Sequence, residues 1–281
     1  MKNVIIIGSG PAGITAGIYL NRAKISNTII TNNRGSLKKA DLIENYYGFE
    51  KPITGEKLIE NGINQYLNLG GNIITDEVVG LTYEDRLVVK GINDNYKADI
   101  VILATGVSRL LPPIKGLSDD LGISYCAICD AFFYRDKEVV VLGNGSYAVS
   151  EAKVLEKTAK SITILTNNRE MMSETNINVN KNKIKEINKV DGIFNIIFED
   201  DTIMNAQGVF IAEGIAGATA LAKKIGAKVI DNKIVVNELM KTNIPNLYAI
   251  GDCVGGILQI SKAVYDGTVC ALNIIKENKK E

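Results

Sequence analysis

Two cysteines and an aspartate are the residues of this chain with the clearest chemistry. Cys126 and Cys129 lie three positions apart in the segment YCAICDAFF, and Asp130 follows directly. A thiol attacks only as its thiolate, which a CxxC near the start of a helix favours, and the spacing lets the two sulfurs close a small disulfide. The segment therefore predicts redox exchange of a disulfide.

A structural zinc site is the competing interpretation of the cysteines. Such a site uses four ligands, but the chain has no histidine, and Cys253 and Cys270 do not form a second CxxC. Redox chemistry is therefore favoured, and no metal site is predicted. Asp130 can cap a helix, or it can serve as the acid/base nearest in sequence to the two thiols. Unpaired cysteines such as Cys253 and Cys270 are most often small core residues.

The composition is that of an ordinary globular protein. The chain has 281 residues, of which 46% are hydrophobic, enough for one large or two medium domains. Lys+Arg and Asp+Glu both number 32, so the overall charge does not favour nucleic acid or a membrane surface as a partner. No apolar run approaches the roughly 18 residues of a membrane span, and the N-terminus lacks a signal-peptide pattern. We therefore expect a cytoplasmic protein.

The chain carries the same strand, glycine turn, helix and strand unit twice. The first copy runs from the apolar strand Val4–Ile7 through the turn GSGPAG into a helix from about Ala12 and the strand NTIIT. The second copy begins at KEVVVLGNGSYA and ends at the strand SITILT. Continuous apolar strands of this kind are typical of parallel sheets. The pattern predicts an α/β fold with two Rossmann-like, three-layer nucleotide-binding domains.

The first glycine turn has the spacing of a dinucleotide site. Gly8 allows the tight turn, Gly10 lets the backbone approach a pyrophosphate, and Gly13 permits close packing of helix and strand. Two later strands also end in glycine, one at Thr105-Gly106 and one at Gly251-Asp252, where the carboxylate can bind a ribityl hydroxyl. Together these three segments predict bound FAD.

The order of motifs along the chain resembles the low-molecular-weight thioredoxin reductases. GSGPAG, IENYYG, ATG, CAICD, a second GxGxxA and a terminal GD follow one another over essentially the whole chain. The resemblance implies a discontinuous FAD-binding domain, residues 1–112 and 240–281, and an inserted domain, residues 113–239, of the NAD(P)H type that carries the CxxC. It also implies a homodimer. Electrons would pass through FAD and the Cys126/Cys129 disulfide to thioredoxin, with Asp130 moving a proton between thiol and flavin.

The resemblance also assigns residues to the cofactor. Thr31 ends the strand after the first helix, where an acidic residue would bind the adenosine ribose, and some members of the family lack that residue. The residues assigned to FAD are Gly8, Ser9, Gly10, Pro11, Ala12, Gly13, Thr31, Gly35, Ser36, Leu37, Asn45, Val78, Ala104, Thr105, Gly106, Gly251, Asp252, Gln259 and Ile260.

The second nucleotide-type domain departs from the NADPH-using pattern. A His-Arg-Arg-x-x-x-Arg element that grips the 2′-phosphate is replaced by TNNREMM, in which Arg169 is the one basic residue. The glycine turn carries the bulky Tyr147, and Leu258 stands where an arginine is usual. These changes resemble the ferredoxin-dependent flavin thioredoxin reductases, so reduced ferredoxin is the expected donor. Two alternatives stay open: NADPH or NADH as donor, because GxGxxA survives, and a flavin-dependent dithiol oxidase that uses oxygen.

Overall fold

The computed structural model describes residues 2–32, 35–40, 42–106, 111–125, 127–214 and 217–279; of Ser36, Lys39, Asp119, Ile128 and Cys129 it describes only the backbone. The chain divides into two compact units. The first unit comprises residues 1–108 and 217–281, and the second unit comprises residues 109–216.

Strands and helices alternate along much of the chain. The strands are β1 (Val4–Ile7), β2 (Asn27–Thr31), β3 (Asn72–Thr75), β4 (Val78–Tyr83), β5 (Leu87–Gly91), β6 (Asn95–Ala98), β7 (Ile100–Leu103), β8 (Glu138–Leu142), β9 (Ser161–Leu165), β10 (Asn178–Asn180), β11 (Ile184–Val190), β12 (Ile193–Phe198), β13 (Ile203–Ala206), β14 (Gly208–Ile211), β15 (Val229–Ile230), β16 (Lys233–Ile234) and β17 (Leu247–Ala249). The α-helices are α1 (Pro11–Arg22), α2 (Gly55–Asn68), α3 (Ala127–Asp130), α4 (Ser146–Leu155), α5 (Ala218–Lys224) and α6 (Ile260–Asn278).

A parallel sheet in the order β17-β7-β1-β2-β3 forms the centre of the first unit. All four residues of β1 are buried, and Ile6 pairs with Ile29 on one side and Ile102 on the other. A strand with neighbours on both edges and helices on its faces needs apolar residues at every position, which explains the unbroken run in β1. The carboxyl ends of β1, β7 and β17 carry the segments assigned to FAD.

Helices α1 and α6 pack closely against each other. A Cβ atom on Gly267 of α6 would lie 2.4 Å from the carbonyl oxygen of Ala12, so only glycine permits this approach. The buried face of α6 includes Ala263, Cys270 and Ile274. This contact fixes the start of α1 relative to the C-terminal helix. The first unit also contains the antiparallel sheet β4-β5-β6 and the two-stranded sheet β15-β16.

The second unit repeats the parallel arrangement on a smaller scale. Its main sheet has the order β10-β9-β8-β14, and β11, β12 and β13 form an antiparallel sheet. The core contains Val140 and Leu142 of β8, Phe194 and Phe198 of β12, and Val209 of β14. Helix α4 begins directly after the glycine turn that follows β8.

The predicted α/β fold with parallel sheets is confirmed. The division into units differs from the predicted domain boundaries: it falls at 108/109 instead of 112/113, and at 216/217 instead of 239/240. Residues 217–239 pack with the first unit, where Lys224 Nζ donates to the carbonyl oxygen of Val79 at 2.8 Å. Leu111 packs against the core of the second unit. No helix in the described ranges is long and apolar enough to cross a membrane.

Candidate active site

The first glycine turn is held by close backbone contacts. Gly8 has φ +113°, and a Cβ atom there would lie 2.5 Å from the carbonyl oxygen of Ala104. On Gly13 a Cβ atom would lie 2.1 Å from the carbonyl oxygen of Gly8. Neither position tolerates a side chain, because the nearest atoms belong to the backbone and cannot move aside. These two glycines therefore bring the start of α1 against the ends of β1 and β7.

Gly10 faces open space at the start of α1. A Cβ atom on Gly10 would meet nothing within 4 Å, and Pro11 is the first helical residue. The first turn of α1 contains no acidic residue. A helix N-terminus with free N–H groups and room beside it is suited to a phosphate group. The turn therefore fits the pyrophosphate of FAD.

Ser9 and Thr31 connect this turn to the end of β2. Their hydroxyl oxygens lie 3.0 Å apart and share a hydrogen bond. Ser9 is buried. Thr31, which occupies the position of the missing acidic residue, thus helps to fix the turn.

Val78, another residue assigned to FAD, is the first residue of β4 and is buried.

A cavity of about 340 Å³ lies beside the turn within the first unit. Five residues that the sequence assigned to FAD contribute to its wall: Ser9, Gly10, Pro11, Leu37 and Ile260. Leu37 lies in a short 3₁₀ helix, Ser36–Lys39, that follows Gly35 (φ +70°). The side chain of Ser36 lies outside the described residues. The fold thus brings together segments from three distant parts of the chain around one cavity.

Two further residues assigned to the cofactor meet directly. Asn45 Nδ2 donates to Gln259 Oε1 at 3.3 Å, although 214 positions separate them in sequence. Gln259 immediately precedes α6, and Ile260 is its first residue. This contact joins the segment before α2 to the start of the C-terminal helix.

The end of β7 contains a buried hydroxyl without a partner. Ala104 N donates to the carbonyl oxygen of Ile7 at 2.9 Å, and Gly106 has φ +70°. Thr105 Oγ1 is buried and has no hydrogen-bond partner among the residues that the structure describes. Buried polar groups in native proteins are almost always hydrogen-bonded, so an unpartnered hydroxyl here fits a bound polar cofactor.

Residues of α6 fix the Gly251-Asp252 turn. Gly251 N donates to Asp266 Oδ2 at 2.9 Å, and Lys262 Nζ donates to the carbonyl oxygen of Gly251 at 2.9 Å. Lys262 and Asp266 also form an ion pair at 2.7 Å. Burial raises the pKa of the Asp252 carboxyl group; the charge of Asp266 adds to this effect and that of Lys262 opposes it. The carboxylate of Asp252 is thus poorly solvated, which favours hydrogen bonding to a ligand hydroxyl.

The chain just before the redox segment YCAICDAFF pairs with β14, the edge strand of the second unit's parallel sheet. Cys126 lies outside the described residues, as does the side chain of Cys129, whose backbone belongs to α3. Ser124 pairs with β14: its N–H donates to the carbonyl oxygen of Val209 at 2.9 Å. Ser124 Oγ donates to Asp130 Oδ2 at 2.7 Å. Asp130 precedes a 3₁₀ helix but makes no capping hydrogen bond to it.

The second glycine turn contacts the segment 166–172 that follows β9. Gly143 has φ +156°, and a Cβ atom there would lie 2.2 Å from the carbonyl oxygen of Ala212. Asn144 Nδ2 donates to the carbonyl oxygen of Glu170 at 2.9 Å, and Met172 N donates to that of Asn144 at 2.8 Å. Two groups of Asn144, its side-chain amide nitrogen and its carbonyl oxygen, are thus bound by residues 170 and 172 of the chain itself.

Arg169 is bound by a carboxylate. Its Nη1 donates to Glu213 Oε2 at 2.7 Å, and its Nη2 pairs with Glu213 Oε1. Its Nε donates to the carbonyl oxygen of Thr166 at 2.8 Å. The Glu213 side chain is only 6% exposed. The one basic residue left in this segment is therefore held in a bidentate ion pair.

The two asparagines in the expected phosphate clamp adopt a left-handed backbone. Asn167 has φ +51° and Asn168 has φ +62°. Asn167 Oδ1 also accepts a hydrogen bond from Ile184 N at 2.8 Å. Asparagine tolerates this conformation better than arginine does. The turn geometry therefore explains why asparagine stands at both positions.

The chain matches the family Pyridine nucleotide-disulphide oxidoreductase over residues 2–267. It is 33% identical to the thioredoxin reductase of Rickettsia prowazekii, with 97% of each chain covered. The chain belongs to the thioredoxin reductases. Its structure is similar to that of the atypical thioredoxin reductase TRi of Desulfovibrio vulgaris Hildenborough (TM-score 0.90, 34% identity, 100% and 99% of the two chains covered). It is also similar to a ferredoxin-flavin thioredoxin reductase of Clostridium acetobutylicum (TM-score 0.72, 29% identity, 100% and 99% covered).

Membership of this family settles the cofactor. Thioredoxin reductases of this family are FAD flavoproteins, and this thioredoxin reductase is one too. Thioredoxin is the substrate partner of thioredoxin reductases. The prediction of FAD from the glycine turns is thus confirmed, while the residues that contact FAD stay predictions.

The structure adds functional candidates that the sequence reasoning missed. Lys262 and Asp266 support the Gly251 turn; their i, i+4 spacing directly after the Gly-Asp motif was the available signal. Phe132 and Phe133 follow the CxxC and are 71% and 68% exposed. Two large exposed aromatic side chains beside the cysteines that are predicted to exchange a disulfide are typical of a contact surface for another protein. The signal in the sequence was the run of three aromatic residues, Phe132 to Tyr134, directly after CAICDA.

Proposed function

We propose that this thioredoxin reductase reduces the disulfide of a thioredoxin with electrons from reduced ferredoxin. The observation that carries the choice of donor is the bidentate pair between Arg169 and Glu213. A 2′-phosphate would have to displace Arg169 from a buried carboxylate. The Arg169 side chain is 41% exposed, so water screens the pair, but displacing Arg169 would leave the buried Glu213 carboxylate without its bidentate partner. Segment 166–172 therefore offers the 2′-phosphate of NADPH no arginine that is not already paired.

The contacts of segment 166–172 also favour ferredoxin over NADH as the donor. Asn144, in the middle of the second glycine turn, is hydrogen-bonded to the backbone of Glu170 and Met172. Met172 Cε lies 3.6 Å from the position that a Cβ atom of Gly145 would occupy. A pyrophosphate that approaches this turn would compete with the chain's own contacts. The similarity to a ferredoxin-flavin thioredoxin reductase also supports a ferredoxin donor.

The residues of the first unit would hold FAD. The backbone of Gly10 and Pro11 would bind the pyrophosphate at the start of α1, and Asp252 would accept hydrogen bonds from ribityl hydroxyls. The Thr105 hydroxyl would gain the partner that it lacks. Bound FAD supplies the conversion between a donor that delivers single electrons and a disulfide that accepts two.

The residues of the second unit would carry out the exchange with thioredoxin. The Cys126–Cys129 bond breaks as the disulfide takes up two electrons and two protons. One of the two thiols then loses its proton and attacks the thioredoxin disulfide as a thiolate. The second cysteine resolves the mixed disulfide, so that the Cys126–Cys129 bond re-forms and the two electrons and two protons leave with the thioredoxin dithiol. Asp130, which accepts a hydrogen bond from Ser124 Oγ at 2.7 Å, would hold a proton and return it during these steps. Phe132 and Phe133 would provide the apolar contact for thioredoxin.

The energetics permit this route. Plant-type ferredoxins lie near about −400 mV. Thioredoxin lies near about −270 mV, and for two electrons about 30 mV corresponds to 1.4 kcal/mol. The drop of about 130 mV therefore favours thioredoxin reduction by about 6 kcal/mol.

Exposed apolar side chains of the first unit support the expected homodimer. Tyr47 is 98% exposed, and Leu42 and Phe49 near it in sequence are also exposed. Large exposed apolar patches commonly mark protein interfaces. Light scattering of the purified protein should give twice the mass of the chain, and Leu42→Ser, at a position that does not line the cavity, should increase the monomer fraction on dilution.

The direct test of the proposed function is an anaerobic thioredoxin assay with three donors. Reduced ferredoxin should support continuous reduction of the thioredoxin disulfide, whereas NADPH and NADH at equal concentration should not. Thioredoxin reduction by NADPH at a comparable rate would refute the ferredoxin assignment. Peroxide formation from dithiols in air, without any reduction of thioredoxin by any donor, would identify an oxidase instead.

A further inference from the structure

Two buried side chains of α4 bind the peptide groups on either side of Cys126. Tyr147 OH donates to the carbonyl oxygen of Tyr125 at 3.2 Å, and Glu151 Oε2 accepts a hydrogen bond from Ala127 N at 2.6 Å. Tyr147 and Glu151 are one helical turn apart, so they project from the same face of α4. Both are buried, with 4% and 1% of their surfaces exposed. Residues 125 and 127 are the immediate neighbours of Cys126 in sequence.

The environment of these two side chains keeps both hydrogen bonds in place. Burial and the nearby charge of Glu151 raise the pKa of the Tyr147 hydroxyl, so it stays protonated and able to donate at neutral pH. A buried carboxylate is costly unless it is hydrogen-bonded, and the N–H of Ala127 meets that need. The bond from Ala127 is charge-assisted, and such bonds are about twice as strong as neutral ones.

Tyr147 also stands inside the second glycine turn, where its bulk departs from the nucleotide-binding pattern. Its ring is buried at the start of α4, and its hydroxyl reaches the redox segment. The same residue thus fills a position in the turn and contacts the neighbour of a cysteine. This gives the substitution a role in place of nucleotide binding.

We propose that Tyr147 and Glu151 are positioning residues for the Cys126/Cys129 redox couple. The inference rests on the thioredoxin reductase function proposed above. When the S–S bond breaks, two electrons and two protons are taken up and two S–H groups form. In the dithiol form the backbone on both sides of Cys126 is free to move unless α4 holds it. The two hydrogen bonds therefore lower the entropy of the dithiol more than that of the disulfide, which has its own cross-link.

The expected effect is a change in the disulfide equilibrium. Tyr147→Phe keeps the ring and removes only the hydroxyl, and Glu151→Gln keeps an acceptor but removes the charge. Losing or weakening one hydrogen bond should lower the equilibrium constant for disulfide formation by about three- to tenfold. A tenfold change in this equilibrium constant corresponds to about 30 mV for two electrons. Because disulfide formation becomes less favourable, the midpoint potential of the Cys126/Cys129 couple becomes less negative.

The test is the midpoint potential of the Cys126/Cys129 couple in FAD-loaded protein. It is measured under anaerobic conditions in buffers that contain oxidised and reduced dithiothreitol in graded ratios. Acid-quenched samples are denatured and labelled with a maleimide carrying a polyethylene glycol chain. Oxidised chains should carry two labels and reduced chains four, because the protein has four cysteines and Cys253 and Cys270 are free. Tyr66→Phe is the matched control: its buried hydroxyl donates to Asn27 Oδ1 at 2.9 Å in the first unit.

We expect less negative potentials in Tyr147→Phe and Glu151→Gln and an unchanged potential in Tyr66→Phe, with equal FAD content in all four proteins. Wild-type potentials in both α4 variants would overturn the positioning role while leaving the proposed function intact. Absence of a titrating pair in the wild type would instead refute the disulfide chemistry itself. If Glu151→Gln fails to fold, Tyr147→Phe decides the outcome alone.

Discussion

The two glycine turns of this chain have the same local form and different surroundings. Each follows a buried parallel strand and precedes a helix, and each has a glycine that packs against backbone: Gly8 against Ala104, and Gly143 against Ala212. The difference lies on the side that would face a ligand. Gly10 opens onto space, whereas Asn144, the neighbour of Gly145, is hydrogen-bonded to Glu170 and Met172, and Met172 lies beside Gly145.

This difference separates two roles of one sequence motif. Gly8, Gly13 and Gly143 are needed for the packing of strand, turn and helix, because backbone atoms would collide with a Cβ atom at each of them. Gly10 and Gly145 are both present, so the two turns differ in the contacts beside these glycines and not in the glycines themselves. A GxGxxA motif therefore indicates the fold of the turn, and the side chains around it decide whether a nucleotide is bound.

The largest effect is expected from substitutions of the two cysteines, which should remove the chemistry of the second unit and leave cofactor binding by the first unit intact. Cys126→Ser and Cys129→Ser should each lower thioredoxin reduction by at least about a thousandfold, because exchange needs two sulfurs. The FAD content should equal that of the wild type, since the residues assigned to FAD all lie in the first unit. Cys270→Ser is the control, because burial places the pKa of that thiol well above its usual range. Activity that survives in either active-site variant would refute the mechanism.

Matched alanine substitutions compare the two turns directly. A Cβ atom meets nothing within 4 Å at Gly10 and only ordinary contacts at 3.6 Å at Gly145, so both variants should fold. Gly10→Ala should weaken FAD binding by about ten- to a hundredfold, because the backbone no longer approaches the pyrophosphate closely. Gly145→Ala should leave FAD affinity and thioredoxin reduction unchanged. FAD titration of the apoproteins measures the contrast, and equal affinities would remove the basis for distinguishing the turns.

A third prediction concerns the exposed aromatic pair beside the cysteines. The double variant Phe132→Ala, Phe133→Ala should raise the KM for thioredoxin by about tenfold, because it removes two apolar anchors, and kcat should change little. Ile203→Ala, at another exposed apolar position of the second unit, should change neither constant. A loss in kcat with an unchanged KM would show that the pair supports the cysteines and does not contact thioredoxin.

The smallest effect is expected from arginines placed in the missing phosphate clamp. Asn167→Arg with Asn168→Arg should restore little NADPH use, because Glu213 remains beside the site and segment 166–172 still contacts the turn. The variant should lose about 1–3 kcal/mol of stability, since both positions have positive φ. Denaturant unfolding and flavin reduction by NADPH measure the two outcomes. NADPH use close to that of ferredoxin would show that the clamp alone decides the donor.

Much of the fold was predictable because its signals are local. β1 and β2 are short, largely apolar runs whose observed bounds match the predicted strands. β8 lies in the segment KEVVVLGNG, where the second copy of the unit was predicted to begin, and β9 ends at Leu165, one residue before the predicted strand SITILT does. The boundary at 216/217 was not predictable, because α5 has only seven residues and its contacts with β4 join distant parts of the sequence. Neither periodicity nor composition records such a contact.

In the candidate site, too, some features were predictable from the sequence and others were not. The glycine spacing and the CxxC predicted their chemistry from residue types alone. The pairing of Asn45 with Gln259, the ion pair of Arg169 with Glu213, and the bond from Ala127 to Glu151 depend on tertiary folding. The sequence showed that the phosphate clamp was missing, but it did not show what the remaining arginine binds.

The central claim is that the second glycine turn does not accept a pyridine nucleotide. It is tested most directly by the visible absorbance of the bound flavin under anaerobic conditions. Millimolar NADPH or NADH should leave the flavin oxidised, whereas catalytic amounts of ferredoxin kept reduced should bleach it completely. Rapid bleaching by micromolar NADPH would contradict the account and would identify an ordinary pyridine-nucleotide thioredoxin reductase.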